Sequence, residues 1–165
     1  QSANAFYYEK LVYLAYNEDL LANWQAFCAA PGCAFCDWPG YHYRQHADSA
    51  SRRGLPPQSL DDQRRAAALI RGSVPGQWPV LQQSANAFYY EKLVYLASMI
   101  LRRADIEPYR VQLGELRIGI TAGLNDRQLG CNPQLPFAIK VSAWATVHAP
   151  KLWRKVCRKY LKDRQ

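Results

Sequence analysis

Nowhere in the 165 residues does an apolar run approach the roughly 20 residues that cross a bilayer, so no transmembrane helix is expected. The opening residues hold no basic stretch, apolar segment and small-residue cleavage site in the order a secretory signal needs, and a cytoplasmic protein is the expectation. A glycine-rich phosphate loop, a nucleophile elbow, an HExxH pair and an EF-hand loop are all missing. Adjacent carboxylates at Asp61 and Asp62 do not replace them. Neighbours on a helix point about 100° apart, and the pair reads better as charges in a first helical turn. Histidine occurs three times, and His148 stands alone. A non-enzyme is therefore expected, with a small nuclease built on His42, His46 or His148 as the remotest alternative.

Acid is scarce where it matters. The chain carries 21 Lys and Arg against 13 Asp and Glu, a net charge of +8. Residues 151–165 hold seven basic residues and one acid, so most of the excess sits at the C-terminal end. There PKLWRKVCRKYLKDRQ places Leu152, Trp153, Val156, Cys157, Tyr160 and Leu161 at helical spacing, with Lys151, Arg154, Lys155, Arg158, Lys159 and Lys162 around the rest of the helix. Pro150 suits the first helical position. Solvated helices usually mix the two signs, whereas this one has no acid among its six cations. Such a face neutralises phosphates and releases condensed counterions. Basic pairs at Arg52-Arg53, Arg64-Arg65 and Arg102-Arg103 extend the patch if the fold brings them near.

Cysteine is concentrated in one place. CAAPGCAFCDWPGYHYRQH carries Cys28, Cys33, Cys36, His42 and His46, a C-x4-C-x2-C-x5-H-x3-H spacing. Thiolates and imidazoles are the ligands zinc prefers, and four of them close a tetrahedral structural site, so one of the five is surplus. The surrounding stretch, from Cys28 to Pro57, is rich in Pro, Gly and aromatics and shows no sustained period; a bound metal supplies the folding energy such a loop lacks. Reduced or redox-active thiols at Cys33 and Cys36 are the plainer reading. The strand-then-helix pattern of thioredoxin-like Cys-x-x-Cys motifs is absent around them, and a structural zinc is the expectation.

Elsewhere the periodicity predicts helices over Ser2 to Phe27, breaking near Asn17, over a short segment opened by Ser59-Leu60-Asp61-Asp62 and stopped by Gly72, and from about Ser84 to Arg103. Val111 and Leu113, then Leu116, Ile118 and Ile120, alternate around Gly114-Glu115 and predict a β-hairpin, with a helix as the runner-up. Phe137 to His148 is ambiguous between strand and helix. The expected fold class is α+β and mainly α-helical, with helices, a small β-hairpin and a zinc-stapled loop. It divides into residues 1–82 and 83–165, which together form one compact domain or one domain with an appendage.

One oddity cuts across this plan. QSANAFYYEKLVYLA occupies residues 1–15 and returns unchanged at 83–97, and similarity stops abruptly at both edges. Evolved repeats diverge gradually and need about three units to share a core. The second copy runs smoothly into SMILRR as one long helix and is the native position; the first reads as an added, swapped or misassigned segment. The functional reading therefore rests on the cysteine loop and the basic tail: a non-catalytic RNA- or DNA-binding subunit of a larger nucleoprotein complex, with a structural zinc. Lys151, Arg154, Lys155, Arg158, Lys159, Lys162, Arg102 and Arg103 would engage phosphates, and Trp38, Tyr41 and Tyr43 would stack on bases. The competing class is an adaptor whose basic helix binds an acidic protein partner.

Overall fold

A computed structural model describes residues 18–32, 34 and 56–160. Among the described residues the architecture is wholly helical: α1 (Glu18–Ala29), α2 (Pro57–Ser73), α3 (Pro79–Arg102), a 3-10 turn (Glu107–Tyr109), α4 (Arg110–Asn125), α5 (Phe137–His148) and α6 (Pro150–Tyr160). Helix α3 is the hub, packing against α2, α4, α5 and α6, while α1 rests on α2.

The centrality of α3 follows from its sequence. Over the stretch Ala85 to Leu101 it buries Ala87, Tyr90, Leu93, Val94, Leu96, Ala97 and Ile100, which together occupy about half of its circumference. An apolar face this broad needs several neighbours to cover it. Leu93, Leu96 and Ile100, fully buried beside Leu116 and Ile120 of α4, each contribute about 1.5–3 kcal/mol of apolar burial. The second copy of the duplicated segment lies entirely within this helix, and the first copy lies outside the described residues. Ser84 does not cap α3. The helix starts earlier, with Pro79 in its first turn, and the Ser84 hydroxyl donates to Val80 O at 3.1 Å inside it.

The expected β-hairpin over residues 111–120 is incorrect, and with it the α+β class: this segment is α4, and no strand occurs among the described residues. The period that wins is helical. Leu113, Leu116, Ile120 and Gly123 are buried, whereas Val111 and Ile118, which the alternation counted inward, are 71% and 68% exposed. Glycine misled the reading because it marks turns in strands, while here it serves close helix packing. A Cβ on Gly119 would sit 2.8 Å from Leu93 Cδ1, and one on Gly123 would run into the Tyr90 ring. These two glycines, one turn apart, let α4 settle onto α3. Gly114, read as the turn, is a surface position in mid-helix with nothing within 4 Å of its missing Cβ.

Helix α2 also begins earlier than Ser59, because Pro56 and Pro57 pre-set its entry. Asp61 and Asp62 consequently miss the first turn. They point different ways: Asp61 accepts from Gln112 Nε2 at 3.0 Å across to α4, and buried Asp62 accepts from Gln58 Nε2 at 2.8 Å. Arg71 ties the same helix down by lying over the rings of Tyr89 and Tyr90 (4.8 and 5.2 Å) and donating to Gln128 Oε1 at 2.8 Å. Trp24 Nε1 donates to Ser73 Oγ at 2.7 Å, which anchors α1, and Leu21 packs with Ala66 and Ile70.

Between α4 and α5 the chain reverses through Arg127, whose φ of 58° is left-handed. The amide of Leu129 then donates to Gly123 O at 2.9 Å, and Leu129 itself is fully buried. Buried Asn132 closes the loop by donating to Gln83 O at 2.9 Å while its side-chain oxygen accepts from the Gln134 amide at 2.9 Å. Helices α5 and α6 are separated by Ala149 alone, with Pro150 opening α6 as its ring geometry favours.

Candidate nucleic-acid interface

Helix α6 is held by few but specific contacts. Cys157 is its fully buried residue, and the half-buried Trp153 packs on the main core. Burial pushes the Cys157 thiol above its ordinary 9.0, with the nearby Arg102 guanidinium and a hydrogen bond with Ser98 pulling the other way. Both partners belong to the last turns of α3. Arg154 adds a second tie, donating to Ala104 O at 2.9 Å. Helix α6 thus crosses the C-terminal end of α3 and brings Cys157 and Arg154 to its last turn.

That leaves a defined outer arc. Lys151, Lys155, Arg158 and Lys159 are exposed, successive in angle around α6 and free of any acid on the same helix. No Asp or Glu occurs anywhere over residues 127–162. The arc therefore presents one sign. Over the eight steps from Lys151 to Lys159 the helix rises about 12 Å, so four cations stand within a length that spans about three to four phosphates of one duplex strand, measured along its axis.

The sequence expectation needs adjustment at three positions. Arg154 is half-buried and spends a guanidinium N–H on Ala104 O, so it positions the helix as well as adding charge. Leu152, expected on the packed face, is 65% exposed at the edge of the cationic arc, and Tyr160 is exposed too. Of the α3 pair, Arg102 stands near Cys157, while Arg103 lies over the Tyr109 ring at 5.1 Å. Arg64 faces Glu115 of α4 at 4.0 Å, which partly offsets its charge. Lys162, Arg52, Arg53, Trp38, Tyr41 and Tyr43 lie outside the described residues.

So does most of the zinc reading. Cys33, Cys36, His42 and His46 are outside the described residues, and Cys28 is exposed near the C-terminal end of α1. Among the described residues no group of three or more His, Cys, Asp or Glu side chains could hold a metal. His148 ends α5 on the surface, its ring 5.2 Å from that of Trp144 one turn earlier.

Two hollows flank α3 on one continuous face, and Phe88 borders both. The first, about 290 Å³, lies between α1, α2 and the start of α3; its lining, including Leu20, Trp24, Phe27 and Ile70, carries no ionisable group. The second, about 580 Å³, runs between α3 and α5 and includes Lys92, Tyr95 and Arg102. Sequence reasoning missed this second groove, although the signal was present: Phe88, Lys92 and Tyr95 follow an i, i+4, i+7 spacing that puts them on one side of a helix.

The outward face of α5 is unusual in another way. Phe137, Val141 and Trp144 are all exposed and, with His148, repeat at i, i+4, i+7 and i+11, opposite the buried Ala143 and Thr146. No helix among the described residues is long and apolar enough to cross a membrane. No protein-family model matches the chain, and no curated protein or solved structure matches it either.

Proposed function

We propose that this protein is a non-catalytic nucleic-acid-binding subunit whose α6 docks on phosphates. The observation that carries the reading is the exposed outer arc of Lys151, Lys155, Arg158 and Lys159, with no acid over residues 127–162. Arg154 and Arg102 extend the positive field toward α3. Exposed Phe137, Val141 and Trp144 support association with further protein subunits, since a bare apolar stripe on a helix favours cover by a partner. In this reading Cys28, Cys33, Cys36, His42 and His46 supply a structural zinc site, in line with the ligand chemistry of their side chains.

The test is the salt dependence of binding to RNA and DNA oligonucleotides. Four phosphate contacts give a slope of log affinity against log salt of about −3 to −4, so affinity falls about 50- to 150-fold between 50 and 200 mM salt. Absence of binding at 50 mM salt overturns the proposal. The adaptor reading predicts instead an acidic protein ligand and no measurable affinity for oligonucleotides.

A further inference from the structure

The groove between α3 and α5 carries a second recognition element. Its walls are Phe88, Lys92, Tyr95 and Arg102 on α3 and Ile139 and Ser142 on α5. Tyr95, which lines the groove, is 47% exposed. The Lys92 ammonium stands between two aromatic rings on its own helix, 6.0 Å from the centre of Phe88 and 5.7 Å from that of Tyr95. Arg102 ends the groove beside α6, where Arg154 reaches back to Ala104. A path of cations thus leads from Lys92 through Arg102 and Arg154 onto the α6 arc. Glu91 is the one carboxylate in the lining, and it lies a turn farther from α6 than Tyr95, where it repels a phosphate and ends the path.

Charge, aromatic faces and width together select the occupant. Alternating cations and open aromatic rings are how proteins hold unpaired nucleotides, because every base has a stackable face. The hollow of about 580 Å³ has room for a flat base but not for a duplex. We infer that the α3/α5 groove is a base-stacking site for single-stranded nucleic acid. A base lies on Tyr95, Lys92 takes the adjacent phosphate, Arg102 takes one farther along, and the strand continues onto α6. This rests on the phosphate-binding reading of α6 and adds strand selectivity to it.

The experiment measures the affinity of the full chain for a labelled single-stranded 12-mer and for a 12-bp duplex at fixed salt, by fluorescence anisotropy. Tyr95→Leu keeps an apolar side chain but removes the stacking face. It lowers single-strand affinity by about 5- to 150-fold and leaves duplex affinity unchanged, and Tyr95→Phe restores single-strand binding. Tyr95 is half-exposed, so both variants keep the melting temperature of the parent protein. If Tyr95→Leu changes single-strand affinity less than twofold while charge reversal on α6 abolishes it, the groove is not the site and the α6 reading survives. If the unmodified protein binds neither strand form, both readings fall. A polyglutamate peptide whose affinity drops on Tyr95→Leu as far as that of the 12-mer overturns the groove proposal in favour of an acidic protein partner.

Discussion

Replacing single glycines of α4 by alanine tests the helix and its packing together. Gly114 is exposed in mid-helix with open space around its missing Cβ, so alanine there collects the full gain in helix propensity, about 0.5–1 kcal/mol. Gly123 offers the same propensity gain, but its Cβ would enter the ring of Tyr90, which is buried and wedged between Tyr89 and Arg71. Overpacking of this kind costs about 1–3 kcal/mol and leaves a net loss of about 1 kcal/mol after the propensity gain. Gly119 falls between them, because the atom it meets is the terminal methyl of Leu93. At about 2–4 °C per kcal/mol for a chain this long, Gly114→Ala raises the melting temperature by about 1–4 °C and Gly123→Ala lowers it by about 2–4 °C. Circular dichroism melts of the three variants measure the order directly. A destabilised Gly114→Ala protein would mean that Gly114 occupies a turn after all. A Gly123→Ala protein as stable as Gly114→Ala would mean that α4 does not press on Tyr90.

Other consequences concern protonation, thiols and metal. Burial raises both the Cys157 thiol above its ordinary 9.0 and the Tyr90 hydroxyl above its ordinary 10.0, so the native state holds these protons longer than the unfolded chain. Their contribution to stability is complete below those values and is lost as pH rises through the native ones; melting temperature therefore falls above about pH 9, and Tyr90→Phe softens the fall above pH 10. In native protein at pH 8, iodoacetamide alkylates exposed Cys131 and spares Cys157, as peptide mass spectrometry would read; fast labelling of Cys157 would contradict the packing of α6 on α3. Elemental analysis of protein washed with a weak chelator finds one zinc per chain, reduced by Cys33→Ser; no stoichiometric zinc in the unmutated protein removes the proposed metal site.

Much of the helical plan was readable from residue periodicity, and the failures share a cause. Pro150 announced α6, Gly72 fell at the end of α2, and the apolar run of the second duplicated segment announced α3. Residues 110–125 misled because two rules compete for glycine, which serves strands as a turn and helices as a site of close approach. Leu113, Leu116 and Ile120 satisfied a helical period all along, but deciding for it required Tyr90 and Leu93 to be known as the neighbours across the interface. Starts of helices failed for a related reason: Ser59 and Ser84 have capping chemistry, yet prolines a few residues earlier had already set the entry. The cationic side of α6 was evident from spacing alone. Its junction with α3, through Arg154 and Cys157, depends on tertiary packing that spacing does not encode.

The most direct measurement of the central claim is a salt titration of oligonucleotide binding by a Lys155→Glu, Arg158→Glu, Lys159→Glu triple variant beside the parent protein. All three side chains are exposed, so melting temperature serves as the check that the fold persists. Loss of three phosphate contacts flattens the salt slope by about 2–3 and lowers affinity at 50 mM salt by about 100-fold or more. Equal affinity and equal slope for variant and parent would contradict the assignment of α6 as the phosphate-binding face.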